Sequence, residues 1–295
     1  MINYFNSPKK GIKIGYNIYK AEKEVASALF LTGRAEYFFK YNHFYEELNK
    51  VGVSVYTMDH RGQGASERML ENQYKGHVEN FEYFVDDAQF FVKEYVLPSI
   101  NKELPLYSIS HSMGGAISFL LESRLKVFNK IVFCSPMWGI NFNAVPEKVI
   151  FLLLKALYSL KKEDDFVWGR KNFEFTNPFV GNILTHSKER YKSQVEFLDK
   201  NPDFNLGAPT NRWVFESILA MRKIANLSKD FATEALLLQS GDDKVVDNKR
   251  QDEVVKNMKN SRKVVIKNAF HELLNEEKVF YNQAVTEILS FLSES

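Results

Sequence analysis

Short apolar or β-branched runs alternate with stretches of helical periodicity along the first half of the chain. Residues 25–31 predict a strand and 37–51 a helix, 52–58 a second strand and 81–96 a second helix. Residues 104–109 lead into a third helix opening at Met113, and 130–134 form a further strand. After residue 230 the alternation resumes, with strands at 235–239 and 262–267 and helices near 249–258 and 280–292. Such repetition predicts βαβ units on a mostly parallel central sheet flanked by helices. Residues 138–230 break the pattern: they are helix-rich, lack clear strands and hold all three tryptophans. The chain therefore divides into an α/β core, 1–137 and 231–295, and a helical cap, 138–230.

A length of 295 residues allows one large domain or a core carrying an insertion. Hydrophobic residues at 45% and charged residues at 26% fit a soluble globular protein. A formal charge of +2 is too small to point to nucleic acid as a partner. The 25 phenylalanines imply a bulky aromatic core or an apolar pocket. The lone cysteine, Cys134, has no disulfide partner and reads as a buried strand residue, which favours a reducing compartment. Neither an export signal nor a membrane-spanning stretch is apparent, so the expected location is cytoplasmic.

Ser110-His111-Ser112-Met113-Gly114-Gly115 follows a predicted strand and opens a predicted helix. That is the setting of a nucleophile elbow, where a sharp turn lifts a serine hydroxyl into the open. Only small residues fit two positions either side of the serine, because strand and helix backbones nearly touch there. Gly114 fills one position and Ser110 the other. A serine needs a base to take its proton, and the base needs an acid to fix its tautomer. In α/β-hydrolases these follow in the order Ser, Asp or Glu, His. Two histidines come after Ser112: His186, inside the insertion, and His271, on a loop just past the last strand. His271 is the expected base. Asp242, Asp243 and Asp247 all follow the strand at 235–239; Asp243 has the better spacing and Asp247 is the alternative. Backbone N–H groups of Met113, at the helix start, and of Arg34, after the strand ending at Leu31, are the expected oxyanion donors.

Other chemistries fit poorly. His271-Glu272-Leu273-Leu274-Asn275 departs from a zinc-protease helix at Asn275, where the second histidine belongs. Gly62-Gln63-Gly64 has Glu67 at the third glycine position of a dinucleotide loop. No Walker sequence and no Cys/His cluster is present, so neither metal nor cofactor is expected.

Gly33-Arg34-Ala35-Glu36, Asp59-His60-Arg61-Gly62-Gln63-Gly64-Ala65-Ser66, Gly76-His77-Val78, Val85-Asp86-Asp87 and His111-Ser112-Met113-Gly114-Gly115 together resemble the serine aminopeptidase S33 / hydrolase-4 group. That group contains monoacylglycerol lipases and bacterial lysophospholipases. The insertion resembles the membrane-associated bacterial lysophospholipases at Leu184-Thr185-His186-Ser187, Gly207-Ala208-Pro209-Thr210 and Trp213. Likeness continues at Val245-Val246-Asp247-Asn248 and Asn268-Ala269-Phe270-His271-Glu272. The resemblance implies the α/β-hydrolase fold, a Ser112–Asp243–His271 triad and an oxyanion hole from Arg34 and Met113. Ser110 stands where the family has glycine or alanine. Thr32 stands where monoacylglycerol lipases have histidine, which moves the expectation toward lysophospholipids.

Lys148, Lys155 and Lys162 recur every seven residues in the apolar stretch 146–162 and share one face of the predicted helix. A lysine stripe with a wide apolar remainder suits a lipid-facing cap or a membrane interface; packing on the core is the alternative. Gly33 and His111, with Phe151, Leu154 and Trp213 in the insertion, are the candidate substrate-binding residues. The expected partners are a small-molecule lipid ester and, transiently, the inner face of the cell membrane. General carboxylesterase, thioesterase or peptidase activity, and a non-catalytic binding role on the same fold, are the competing functions.

Overall fold

A computed structural model describes residues 2–143, 145–167 and 179–294. Its strands are β1 (Asn3–Asn6), β2 (Lys13–Tyr19), β3 (Ala26–Leu31), β4 (Val53–Met58), β5 (Leu106–His111), β6 (Lys130–Cys134), β7 (Glu234–Ser240) and β8 (Ser261–Ile266). They form a single sheet in the order β1-β2-β4-β3-β5-β6-β7-β8. β1 and β2 pair antiparallel, and every pairing from β4 to β8 is parallel. β3, β4, β5 and β6 are buried along their whole length, as strands covered on both faces must be, and are rich in apolar residues, with small polar residues such as Ser27, Ser54 and Ser108 among them. Side chains alternate across the sheet: Leu29 and Leu31 enter one core, Ala28 and Phe30 the other. Helices α2 (Glu82–Phe91), α3 (Met113–Leu125) and α7 (Asn248–Asn257) cover the first face, α1 (Asn42–Lys50) and α8 (Lys278–Ser293) the second.

Several boundaries differ from the sequence expectation. β1 and β2 were not anticipated, because a half-exposed sheet margin leaves no continuous apolar run. The helix expected at 37–51 is a 3-10 turn, Phe38–Tyr41, followed by α1. That expected at 81–96 is α2 followed by a π-helical turn, Val92–Val96. β5 starts two residues late and runs up to Ser112, since Pro105 has no N–H for the ladder.

Residues 138–230 contribute α4 (Glu147–Ser159), α5 (Lys188–Lys200) and α6 (Asn211–Leu227). Trp213, Val214, Ser217, Ile218, Met221 and Ile224 form the buried stripe of α6, and the Thr210 side chain caps its start by accepting from Trp213 N–H. α4 lies on α6 through Leu154 and a stacked Phe151–Phe215 pair at 4.9 Å. Its other side stays bare, with Val149, Leu152 and Leu153 at 44%, 56% and 52% exposure and Leu160 just beyond at 66%. Left-handed Lys161 (φ 57°) follows the end of this helix, so Lys162 does not share the face of Lys148 and Lys155 as the spacing predicted. Trp138 packs edge-on against Phe119 and Phe133. Trp168 lies outside the described residues. Among the described residues no helix is long and apolar enough to cross a membrane.

Candidate active site

β5 delivers the chain to Ser112, which adopts φ 51° and ψ −118° before α3 begins. Such a conformation costs about 1–3 kcal/mol in a non-glycine residue and needs a surrounding that enforces it. Ser112 N–H donates to Cys134 O (3.1 Å), and Ser112 O accepts from Met137 (2.8 Å) and Gly115 (2.9 Å) N–H groups. Gly114 permits the turn. A Cβ there would lie 2.6 Å from both the Leu31 carbonyl carbon and Thr32 O. Ser110, on the near side, buries its hydroxyl by donating to Val132 O (3.2 Å).

The loop after β8 brings His271 to the serine. His271 Nε2 lies 2.9 Å from Ser112 Oγ, and His271 Nδ1 lies 2.7 Å from Asp243 Oδ2. Asp243 Oδ1 accepts from the N–H groups of Val245 (2.8 Å) and Val246 (3.0 Å). Burial pushes the Asp243 carboxyl pKa up, but His271 and the two N–H groups outweigh it and hold the group below its ordinary value. Asp247 is occupied elsewhere, capping α7 by accepting from Lys249 and Arg250 N–H. Asp242 pairs with Lys244 at the surface. Of the three aspartates, the structure brings Asp243 to His271.

Gly33 lies against the serine; a Cβ added to it would be 3.1 Å from Ser112 Cβ. Its N–H is already taken by Glu36 Oε2. The next N–H, of Arg34, and that of Met113 across the elbow have no protein acceptor among the described residues. His111 is buried with its ring 4.8 Å from that of His271, and its Nδ1–H donates to Cys134 O (3.2 Å). Burial lowers its pKa to about 4 against the pull of Glu36, so the ring is neutral. Phe151 and Leu154 lie where α4 packs on α6, Phe151 stacking on Phe215. Trp213 lies under the Arg34 guanidinium at 5.3 Å.

Two buried networks escaped the sequence reading. Lys40 Nζ bridges Glu36 Oε1 (2.8 Å) and Glu272 Oε1 (2.7 Å), tying the Arg34 loop to the His271 loop. Burial opposes ionisation of Glu36, yet the pull of Lys40 outweighs it and carries the pKa down. Fully buried Glu276 accepts from His186 Nδ1 (2.7 Å), His186 N–H (2.8 Å) and Phe270 N–H (2.8 Å). The His186 ring stacks on Phe270 at 3.7 Å, next to His271. His186 is thus a bolt between the segment before α5 and the His271 loop. A cavity of about 320 Å³ opens between α5 and the core, lined by Tyr37, Lys40, His43, Arg190, Phe197 and Asn275.

A serine, an imidazole and an ionised carboxylate in sequence, beside two N–H groups that have no acceptor among the described residues, can perform acyl transfer. Strand order, strand direction and this site define a serine hydrolase of the α/β-hydrolase fold. Residues 22–278 match the serine aminopeptidase S33 family. The chain is 33% identical to lysophospholipase L2 of Escherichia coli K12 over 290 residues, covering 96% of this chain and 84% of that protein. It is 25% identical to monoglyceride lipase of Mus musculus, covering 88% and 80%. A soluble variant of Saccharomyces cerevisiae monoglyceride lipase superposes with a TM-score of 0.78 at 17% identity, covering 99% of this chain and 94% of that one. The chain belongs to the serine aminopeptidase S33 family and is a serine ester hydrolase.

Proposed function

We propose that the chain is a lysophospholipase that works through an acyl-enzyme on Ser112, with His271 as base and Asp243 as the acid that orients it. Ser112 Oγ attacks the ester carbonyl while His271 Nε2 takes the hydroxyl proton. The oxyanion forms against the N–H groups of Arg34 and Met113, and Asp243 stabilises the imidazolium. His271 then gives its proton to the departing glycerol oxygen. Water, deprotonated by the same ring, attacks the acyl-enzyme and releases the fatty acid. The observation that carries this reading is the continuous chain Ser112–His271–Asp243 at 2.9 and 2.7 Å.

Lysophospholipids are placed before monoacylglycerols because of the near full-length likeness to lysophospholipase L2 and because Thr32 replaces a histidine. The bare side of α4 supports delivery from a membrane: Val149, Leu152 and Leu153 form an exposed apolar row with Lys148 and Lys155 beside it. The membrane would be met transiently, at its cytoplasmic face, by the cap spanning residues 138–230.

A substrate panel with Ser112→Ala tests the mechanism, and a fluorophosphonate probe should label wild type and not the variant. Each added methylene contributes ~0.8 kcal/mol if buried, so kcat/KM should climb about fourfold per carbon over short acyl chains. A flat profile removes the lipid reading. Paired Leu152→Asp and Leu153→Asp substitutions should abolish sedimentation with anionic vesicles while activity on a short soluble ester persists; undiminished sedimentation removes the membrane contact.

A further inference from the structure

Arg34 offers its backbone N–H at the proposed oxyanion site, and its side chain is free to do something else. The half-buried guanidinium is flanked by Gly76, Gly207 and Trp213. Its Nη2 donates to Gly207 O, and its Cζ lies 5.3 Å from the centre of the Trp213 ring. Gly76 makes the berth, since a Cβ there would collide with the guanidinium. Nε is buried without an acceptor, and no acidic side chain pairs with Arg34 among the described residues. Burial alone moves its pKa, down to about 10. Arg61, fully buried, shows what the same fold does with a structural arginine: Nε and Nη2 grip Asp87 at 2.7 and 2.8 Å. A half-buried cation left without a counter-charge is costly, and is kept where an incoming anion completes it.

In a lysophospholipid a glycerol bridge separates ester from phosphate by about the reach of an arginine side chain. We infer that the Arg34 guanidinium binds the phosphate of the head group, while the backbone N–H of the same residue holds the oxyanion. One residue would then read both ends of the glycerol and select phosphate-bearing lipids over neutral ones. The inference rests on the lysophospholipid reading above.

The test compares lysophosphatidylcholine with the monoacylglycerol of the same acyl chain in wild type, Arg34→Gln and Arg34→Lys. The ratio of the two kcat/KM values should fall about 10- to 100-fold in Arg34→Gln, the range for losing a charged hydrogen bond, and less in Arg34→Lys. Arg34→Gln should melt no lower than wild type, because it removes an uncompensated half-buried charge. Equal losses on both substrates, with or without a drop in Tm, make Arg34 a packing residue and overturn the anchor alone. A wild type that leaves lysophosphatidylcholine intact overturns the lysophospholipid reading and the anchor with it.

Discussion

Replacing Asp243 with asparagine separates an orienting acid from a merely nearby one. The amide is nearly isosteric and keeps one oxygen, so the Val245 and Val246 N–H groups, at 2.8 and 3.0 Å, retain their acceptor. Stability should therefore fall by no more than about 1–2 kcal/mol, the worth of a weakened hydrogen bond. The chemistry suffers far more. The new amide N–H₂ faces His271 Nδ1, 2.7 Å from the present Oδ2, and can only donate. The imidazole proton must then move to Nε2, which faces Ser112 Oγ at 2.9 Å and loses its power to accept. A wrong tautomer of this kind costs about 10⁴-fold in kcat, or roughly 5 kcal/mol of transition-state stabilisation. Asp247→Asn is the control, because asparagine caps a helix as well as aspartate does and the α7 cap is that residue's contact. Single-turnover acylation with a chromogenic ester, beside thermal melts, gives both numbers. If Asp243→Asn stays within tenfold of wild type, or Asp247→Asn falls as far, the assignment of the orienting acid is wrong.

Gly114→Ala should lower stability by about 1–3 kcal/mol and depress kcat, since the added methyl meets backbone that cannot yield; an unchanged melt and rate would refute the tight-corner argument. Glu276→Gln should lower kcat about tenfold with little change in KM, because Phe270 and His186 lose a shared carboxylate rather than the substrate a contact; a pure KM effect would contradict this. Burial lowers the pKa of His60 to about 4, against a bond from its Nε2–H to Thr32 O, and His111 behaves likewise. Below pH 6.5 the unfolded chain takes up protons that the folded one refuses. Stability should then be lost as pH falls from about 6.5 to 4, on the order of 3 kcal/mol for each ring. His60→Gln should flatten that slope in melts taken from pH 7 to 4.5, and an unaltered slope would count against it.

The strands from β3 to β7 were readable because burial on both faces leaves an apolar signature, which the polar-flanked β1 and β2 lack. The Ser112 turn was readable because its requirement is local: small residues at fixed offsets from one serine. Lys40 was not, since nothing in a helical stretch tells a solvated lysine from one bridging Glu36 and Glu272. The His186–Glu276 pair spans 90 positions, and only the fold brings its ends together. Phe151 and Leu154 show the converse limit, for nothing in a sequence tells an aromatic or aliphatic residue packed on a neighbouring helix from one that meets a substrate.

The bolt formed by Glu276 restricts how such enzymes can be recombined. Segment 184–187 and segment 270–277 are fastened to each other by Glu276, by Thr185 Oγ1 donating to Asn275 O (2.8 Å) and by Glu272 N–H donating to Leu184 O (2.9 Å). A lid grafted from a relative would therefore arrive without its half of the fastening and strand a carboxylate in the interior. Chimaeras that exchange lids to alter selectivity should carry both segments across as one unit, and lineages that diverged in one segment should have diverged in the other.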